Sequence, residues 1–376
     1  MDAVRDLCSR GGGDLDRRDP TVQADHRPGC ALGSAVGGLI LLAIATNLPE
    51  AAITVSAALA GNLEVAVGNI LGGIALQTVV LVILDIFSGK GKRPLTYRAA
   101  SLTLVIEAAT VIGVLGIVIA GSQMPSDLIG FRLTPAVVLI ALAWVGGLIL
   151  VKRAQKGLPW HEQGQAPDGQ HKPMGHSKQY AARTTAKEPA TSDGTAQRAG
   201  KGTVKGSGKS VDSGAPVSTR RAVIIFIIAA VATLVSGVVL ERSGDAIATE
   251  IGLSGVLFGA TILALATSLP EISTGLASVK QGDDQLAVSD IFGGNAFLPV
   301  LFLVAALISG QSVLPQALDT DIYLTALAIL LTLVYMLGLI FRPSRRVLGM
   351  GMDSLTVLTL YLVGVAGLFV IAGASS

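Results

Sequence analysis

The sequence predicts an all-α protein that crosses a membrane several times and consists of two homologous halves. Three observations lead to this fold class. Charged residues make up only 14% of the chain, whereas a soluble domain is about a quarter charged. Apolar runs recur that are long enough to cross a bilayer, which takes about 20 helical residues. Finally, segments 43–77 and 264–298 align without a gap, and about a third of their positions are identical.

Two polar regions frame the predicted helices. The arm 1–30 has no continuous apolar region and is neither a signal peptide nor a span. We expect this arm and the linker 153–219 to be disordered, because neither has enough large apolar side chains to bury a core. The first half, 31–152, contains four predicted helices, and the second half, 220–376, contains five. Their predicted bounds are 31–60, 64–87, 98–120, 132–152, 222–241, 251–280, 285–309, 320–341 and 352–374.

Basic loops predict the orientation in the membrane. Cytoplasmic loops carry an excess of lysine and arginine, and the basic loops and linker all fall on one side if nine spans follow in this order. The first repeat segment then runs outward and the second inward, so the two halves are inverted. The basic residues of the two short loops are Lys90, Lys92, Arg93, Arg98, Arg342, Arg345 and Arg346.

The odd number of helices is a consequence of the polar arm. In the second half the span 222–241 precedes the repeat segment, whereas in the first half the arm occupies that place. Either one helix has been lost, or the reading frame begins upstream of Met1. We favour the second explanation.

The central feature of each repeat is a glutamate that follows a proline. Glu50 lies in TNLPE and Glu271 in TSLPE. Proline inside a helix removes a backbone hydrogen bond, so we expect each segment to unwind and to free carbonyls at Ala43 and Ala264. With the hydroxyls of Thr46 and Thr267, these oxygens would suit a hard cation. A buried hydrogen-bonded glutamate beside a kink is the alternative, but it would have to occur twice in register.

Other polar residues inside the spans leave alternatives open. Asp290 could be a ligand or a solvated vestibule residue, and Glu107 could be a proton carrier or a buried hydrogen-bonded residue. We expect Asp85 to be solvated because it lies near a span end. The paired glycines at 72–73 and 293–294 suit close helix packing at least as well as ion contact. The remaining polar positions are Asn69, Gln77 and Asn295.

The two repeats resemble those of the calcium/cation antiporter superfamily, which includes the sodium/calcium exchangers. The resemblance is carried by T-(S/N)-L-P-E in both halves and by the glycines that follow it. It implies ten helices in two inverted halves, with an ion site at the midplane. On this resemblance the acidic ligands are Glu50 and Glu271. The oxygens beside them come from Thr46, Thr267, Ala43, Ala264, Asn47 and Ser268, and Gln77 stands where the family often has asparagine or aspartate.

The departures from the family pattern affect the choice of ion. Gly73 and Gly294 replace serines that are common in the family, and Leu298 replaces a polar residue. The site therefore keeps two carboxylates but has fewer side-chain oxygens. Exchange of Ca²⁺ for Na⁺ or H⁺ stays the leading hypothesis, with Na⁺/H⁺ exchange as the competitor.

Other functional classes are less well supported by the sequence. A channel would need a filter or a ring of charges, and a membrane enzyme would need a metal or nucleophile motif. A truncated, non-functional remnant stays an alternative because of the missing helix. We expect a multi-pass plasma membrane protein that contacts lipid and transported cations, with no cofactor and no nucleic acid partner. The oligomeric state stays open.

Overall fold

A computed structural model describes residues 46–88, 93–155 and 263–374, together with Ile44 and isolated positions between 228 and 243. The arm 1–30, residues 156–219 of the linker and the larger part of the predicted span 222–241 lie outside the described residues. Their boundaries stay predictions. Ala43, one of the predicted site residues, also lies outside them.

The first half forms helices α1 (Leu48–Ala60), α2 (Leu63–Phe87), α3 (Leu95–Ala99), α4 (Leu102–Ser122) and α5 (Pro135–Ala154). The second half forms α6 (Ala264–Thr267), α7 (Leu269–Gln281), α8 (Asp284–Phe297), α9 (Leu301–Ser309), α10 (Asp319–Phe341) and α11 (Met352–Ala374). Short 3-10 turns occupy Leu298–Val300, between α8 and α9, and Leu314–Gln316, before α10.

Six of the nine predicted membrane spans correspond to described helices, whereas the beginnings of the predicted spans 31–60 and 251–280 lie outside the described residues. Six stretches among the described residues are long and apolar enough to cross a membrane, and the stretch Asp284–Ser309 combines α8 and α9. The predicted span 98–120 differs at its start. The structure has a separate α3 there, and α4 begins at Leu102, because the Ser101 hydroxyl accepts a hydrogen bond from the Thr103 backbone N–H at 3.2 Å and caps the helix.

Both repeats turn between their two helices in the same way. Gly61 ends α1 with a φ of 76°, and Gly282 ends α7 with a φ of 80°. Glycine adopts this left-handed conformation without the steric penalty of a side chain. The following residues, Asn62 and Asp283, have φ values of −97° and −98°. The repeat in the sequence is therefore also a repeat in backbone conformation.

Helices α2 and α8 lie in the interior of the bundle. Helix α4 packs against α8, and α10 packs against α2, so each repeat is covered by a helix from the other half. Helices α5 and α11 lie at the periphery, where Leu142 and Leu362 are exposed. Exposed apolar side chains on long apolar helices are what a lipid-facing surface requires.

The contacts at one end of the bundle show that the repeats run in opposite directions. We call this the basic end, defined by Arg98, Arg342 and Arg346. The C-terminal end of α2 lies at the basic end, since Asp85 near that end is 4.0 Å from Arg346. The N-terminal end of α8 also lies there, since its first residue, Asp284, forms a 2.7 Å salt bridge with Arg98. Since α1 precedes α2 and α7 precedes α8 through equivalent turns, α1 and α7 are antiparallel.

Asp85 corrects the expectation of a solvated residue. Its side chain is fully buried, and it accepts hydrogen bonds from the backbone N–H groups of Leu95 and Gly351 at 2.8 and 2.6 Å. The Ser354 hydroxyl donates a third bond at 3.0 Å. A hairpin of β1 (Arg346–Val347) and β2 (Met350–Gly351) brings Gly351 to this position. Asp85 therefore ties α2, α3 and α11 together at the basic end.

Candidate functional site

The two repeats are broken at the same place. Asn47 precedes α1 with a φ of −88° and a ψ of 16°, and Ser268 separates α6 from α7 with a φ of −81° and a ψ of 1°. The prolines follow as the second residue of each helix, where their missing N–H is not required. The predicted interruption before each glutamate is thus present, and it places Glu50 and Glu271 in the first turn of α1 and α7.

The two glutamates meet on one amide group. The Gln77 Nε2 lies 3.2 Å from the Glu50 Oε1 and 3.3 Å from the Glu271 Oε1. It also lies 3.3 Å from the Asn47 Oδ1. An amide nitrogen has only two hydrogens, so three acceptors compete for two donors. All four side chains are at most 1% exposed, so this is an enclosed polar centre.

The hydroxyl groups beside the glutamates are buried as well. Thr46, Thr267 and Ser268 are each at most 4% exposed, and the Thr267 side chain lies beside Glu50. The Thr46 Oγ1 accepts a bond from the Asn47 amide at 3.4 Å. The structure therefore brings together Glu50, Glu271, Thr46, Thr267, Asn47, Ser268 and Gln77 around one centre.

The Ala264 carbonyl differs from the prediction that the break would free it. It accepts a bond from the Ser268 backbone N–H at 3.0 Å. The hydroxyls of Ser268 and Thr267 also donate to it, at 2.8 and 3.1 Å. In this conformation the Ala264 oxygen is fully occupied by the residues of its own turn. It could face an ion only after these hydroxyls had rotated away.

Several oxygens of the centre are buried and have no hydrogen-bond donor among the described residues. They are the Glu50 Oε2, the Glu271 Oε2 and the Gln77 Oε1. A carboxylate in a membrane protein requires a cationic or hydrogen-bonding partner, and neither glutamate has a salt bridge to a lysine or arginine of the described residues. No cluster of three or more His, Cys, Asp or Glu side chains that could hold a metal ion occurs in the described part of the chain. The centre therefore combines two carboxylates with neutral oxygens, which is suited to a hard cation or to protons.

The paired glycines differ in how tightly they are packed. A Cβ atom on Gly294 would lie 2.7 Å from the Asn47 Nδ2, whereas one on Gly73 would meet only the Leu298 Cδ1, at 4.0 Å. Gly294 therefore allows α8 to approach the break before α1. The packing explanation holds for Gly294 and is not needed for Gly73.

Two further acidic residues are buried near α8. Asp290 is 5% exposed, and its Oδ2 accepts a bond from the Thr274 hydroxyl at 2.9 Å. Glu107 is 9% exposed, and its Oε1 accepts a bond from the Ser289 hydroxyl at 3.0 Å. The solvated alternative for Asp290 is therefore wrong in this conformation, and Glu107 is buried and hydrogen-bonded.

The amide and hydroxyl pair of Asn295 and Thr78 supports the centre from behind. The Asn295 Nδ2 donates to the Thr78 Oγ1 at 3.1 Å, and both side chains are fully buried. Thr78 directly follows Gln77 and is not among the residues predicted from the sequence. The one sequence feature that could have identified Thr78 is its place next to the polar Gln77 in an otherwise apolar helix.

A comparison with known families decides where this architecture belongs. The model of the sodium/calcium exchanger protein family matches residues 29–152 and 221–370. The chain belongs to the sodium/calcium exchanger family. That family consists of ion exchangers and is not a family of enzymes. It is part of the superfamily that the repeat motifs resemble, so the recognition from the sequence is confirmed.

Individual relatives agree with this membership. The inner membrane protein YrbG of Escherichia coli strain K12 is 25% identical over 285 residues, which cover 76% of this chain and 72% of YrbG. The putative antiporter CaxA of Alkalimonas amylolytica is 31% identical over 133 residues. That match covers 35% of this chain and spans only 42% of the length of CaxA.

Solved structures share the fold. An H⁺/Ca²⁺ exchanger, CAX, matches with a TM-score of 0.52 and 12% identity over 93% of this chain and 86% of CAX. The sodium-calcium exchanger NCX_Mj matches with a TM-score of 0.50 and 16% identity over 88% of this chain and 86% of NCX_Mj. At these identities the likeness concerns the fold alone, and it confirms an all-α membrane architecture of the exchanger type.

Proposed function

We propose that the protein is a secondary cation antiporter that exchanges Ca²⁺ for Na⁺ or H⁺. The observation that carries this proposal is the contact of Glu50 and Glu271 with one buried amide, that of Gln77. Two carboxylates with no cationic side chain match the charge of one divalent cation. They equally match two monovalent ions or protons, which is what an exchanger must accept in alternation.

Ca²⁺ binding requires the Gln77 amide to move, because its nitrogen stands between the two glutamates. Ca²⁺ binds oxygens at about 2.4 Å, and the Oε1 atoms of Glu50 and Glu271 lie within 3.3 Å of the Gln77 Nε2. If this nitrogen withdrew, an ion between the glutamates would draw each Oε1 inward by about 1 Å. A half-turn of the amide would present the Gln77 Oε1 to that ion, and this oxygen has no hydrogen-bond partner among the described residues.

The antiparallel repeats support alternating access. Each glutamate lies in the first turn of its helix, and the two helices run in opposite directions, so the centre has one repeat directed toward each end of the bundle. Such pseudo-symmetry allows one site to be opened to either side in turn. We place the protein in the plasma membrane, with the basic end cytoplasmic by the positive-inside rule. The name of the relative YrbG, an inner membrane protein, supports that location.

Na⁺/H⁺ exchange is the second candidate, and the reduced number of oxygens favours it. Ca²⁺ takes six to eight oxygen ligands. Leu298 and the two glycines supply no side-chain oxygen at positions where the family has polar residues, and the Ala264 carbonyl is already occupied. A site with fewer oxygen ligands suits protons and Na⁺ better than Ca²⁺.

Reconstitution into proteoliposomes tests both candidates. Uptake of ⁴⁵Ca²⁺ and of ²²Na⁺ is measured with an outward gradient of Na⁺ or H⁺ and again with no gradient. We expect gradient-dependent uptake of one of these cations, and we expect Glu50→Gln and Glu271→Gln each to abolish it. Asp127→Asn, which alters an exposed carboxylate, is the matched control and should retain uptake.

Each possible result has a clear meaning. Uptake of Ca²⁺ driven by Na⁺ or H⁺ supports the leading proposal, whereas H⁺-driven Na⁺ uptake alone supports the second. Flux that needs no opposing gradient would contradict antiport. Uptake that survives both glutamate substitutions would show that the ion site is elsewhere.

A further inference from the structure

Asp290 lies between the glutamate centre and the basic end. Helix α8 begins at that end with Asp284, and Asp290 follows six residues later. Its hydrogen-bond donor, Thr274, lies one turn after Glu271 on α7, and the Thr274 Oγ1 is 3.3 Å from the Glu271 carbonyl oxygen. Glu271 and Asp290 also interact electrostatically. The Asp290 carboxylate is therefore one helical turn from the centre, in the direction of the basic end.

The described residues do not balance the charge of Asp290. Among them its buried Oδ1 has no hydrogen-bond donor, and the Thr274 hydroxyl is the one donor to its Oδ2. No lysine or arginine within the described ranges forms a salt bridge with it. A buried carboxylate with one neutral donor is costly unless a cation visits it.

The equivalent position in the first repeat is neutral. Asn69 aligns with Asp290, since both lie 19 residues after the glutamate of their repeat. Asn69 is also buried, and its two polar side-chain atoms have no hydrogen-bond partner in the described part of the chain. Because the repeats are antiparallel, Asn69 lies on the opposite side of the centre from Asp290. At this buried position the two approaches to the centre therefore differ by one negative charge.

The other buried acids do not remove this difference. Glu107 on α4 bonds Ser289 of α8, and Asp321 on α10 lies beside Gly68 of α2, 3.7 Å from where its Cβ would be. Ser289 and Gly68 are equivalent positions of the two repeats, so each approach has one such acid. Asp290 against Asn69 is the position of the aligned segments that is buried in both repeats and differs in charge.

We propose that Asp290 forms an accessory cation site, which binds the transported cation on its way between the glutamate centre and the basic end. The proposal rests on the proposed antiport function and adds a sidedness to it. Leu298 supplies no oxygen to the centre. Asp290 adds a third carboxylate instead, about two helical turns from Leu298 in the direction of the basic end. Affinity for the cation should consequently be higher from the basic-end side than from the other.

Oriented membrane vesicles test this sidedness. Right-side-out and inside-out vesicles expose opposite faces, and the half-saturating Ca²⁺ concentration for ⁴⁵Ca²⁺ flux is measured at each. We expect Asp290→Asn to raise this concentration about tenfold at the basic-end face and less than about twofold at the other. Asn69→Asp should lower it at the opposite face, so the double variant should exchange the behaviour of the two faces. If Na⁺ is the transported ion, ²²Na⁺ replaces ⁴⁵Ca²⁺.

The controls separate this proposal from a structural role and from failure of antiport. Asp127→Asn should leave both faces unchanged, and thermal unfolding of each purified variant verifies folding. An effect of Asp290→Asn that is equal at both faces, or no effect at either, overturns the accessory site. Equilibrium binding of ⁴⁵Ca²⁺ to the purified protein adds an independent test. Binding that Glu271→Gln abolishes and Asp290→Asn weakens, in a protein without coupled flux, would contradict antiport while retaining the accessory site.

Discussion

The two repeats share a backbone but distribute their polar groups differently. Both are broken before a Pro-Glu pair, and both turn on a left-handed glycine, Gly61 or Gly282. Behind the glutamates, however, the first repeat has Gln77 where the second has Leu298, and Ile74 where the second has Asn295. The buried amide of the second repeat therefore lies about one turn earlier in its helix than the amide of the first repeat. The shared break thus creates the centre, whereas the helix behind it determines how each side of the centre is completed.

The largest difference between the repeats is expected to lie at the basic end. Continuing the ungapped alignment past residue 77 pairs Asp85 of α2 with Ala306 of α9, and both are fully buried. Asp85→Ala, which copies the second repeat into the first, should destabilise the protein by about 3 kcal/mol, because two buried backbone N–H groups and Arg346 lose their acceptor. Thermal or denaturant unfolding in detergent measures this.

The exposed residue Asp127 provides the control for this experiment. Asp127→Ala should change stability by no more than about 0.5 kcal/mol, as is usual for surface positions. Equal stability of Asp85→Ala and Asp127→Ala would mean that the Asp85 contacts do not hold α2, α3 and α11 together.

Substitutions of the paired glycines test the comparison between the repeats, and we expect a loss of stability of intermediate size. Gly294→Ser should destabilise the protein by about 2 kcal/mol, because its Cβ would approach the Asn47 amide and force the closely packed interior to shift. Gly73→Ser places the same Cβ 4.0 Å from the Leu298 Cδ1, an ordinary contact, and should destabilise the protein by less than about 1 kcal/mol. Parallel unfolding of the two variants measures the difference, and equal losses would contradict the asymmetric packing.

The smallest effect is expected on ion affinity at Gln77. Gln77→Leu makes the first repeat resemble the second at Leu298 and removes the amide shared by the two glutamates. We expect the half-saturating cation concentration to rise about tenfold, which corresponds to about 1.4 kcal/mol. Flux in proteoliposomes measures it, and Gln123→Leu, at an exposed position, is the control. A Gln77→Leu variant with unchanged affinity would remove Gln77 from the site.

Much of the candidate site could be predicted from the sequence because the repeat marks it twice. The Pro-Glu step in both repeats predicts Glu50 and Glu271, and the family pattern predicts Gln77. The prediction for Asp85 was wrong, because a position near a span end says nothing about a hairpin that folds over it from residues 346–351. Gly73 and Gly294 lie in similar sequence contexts, yet only Gly294 faces a backbone break closely enough to require glycine.

The membrane location, the two homologous halves, the breaks before the glutamates and the inversion all follow from the sequence alone. They depend on local properties, namely apolar length, proline chemistry and loop charge. Which polar groups share a centre, in contrast, depends on the tertiary structure. Gln77 and Glu271 are 194 positions apart, and their contact requires a particular packing of antiparallel helices. The same packing placed Asp290 and Asn69 on opposite sides of that centre, because equivalent residues of inverted repeats face opposite ends of the bundle.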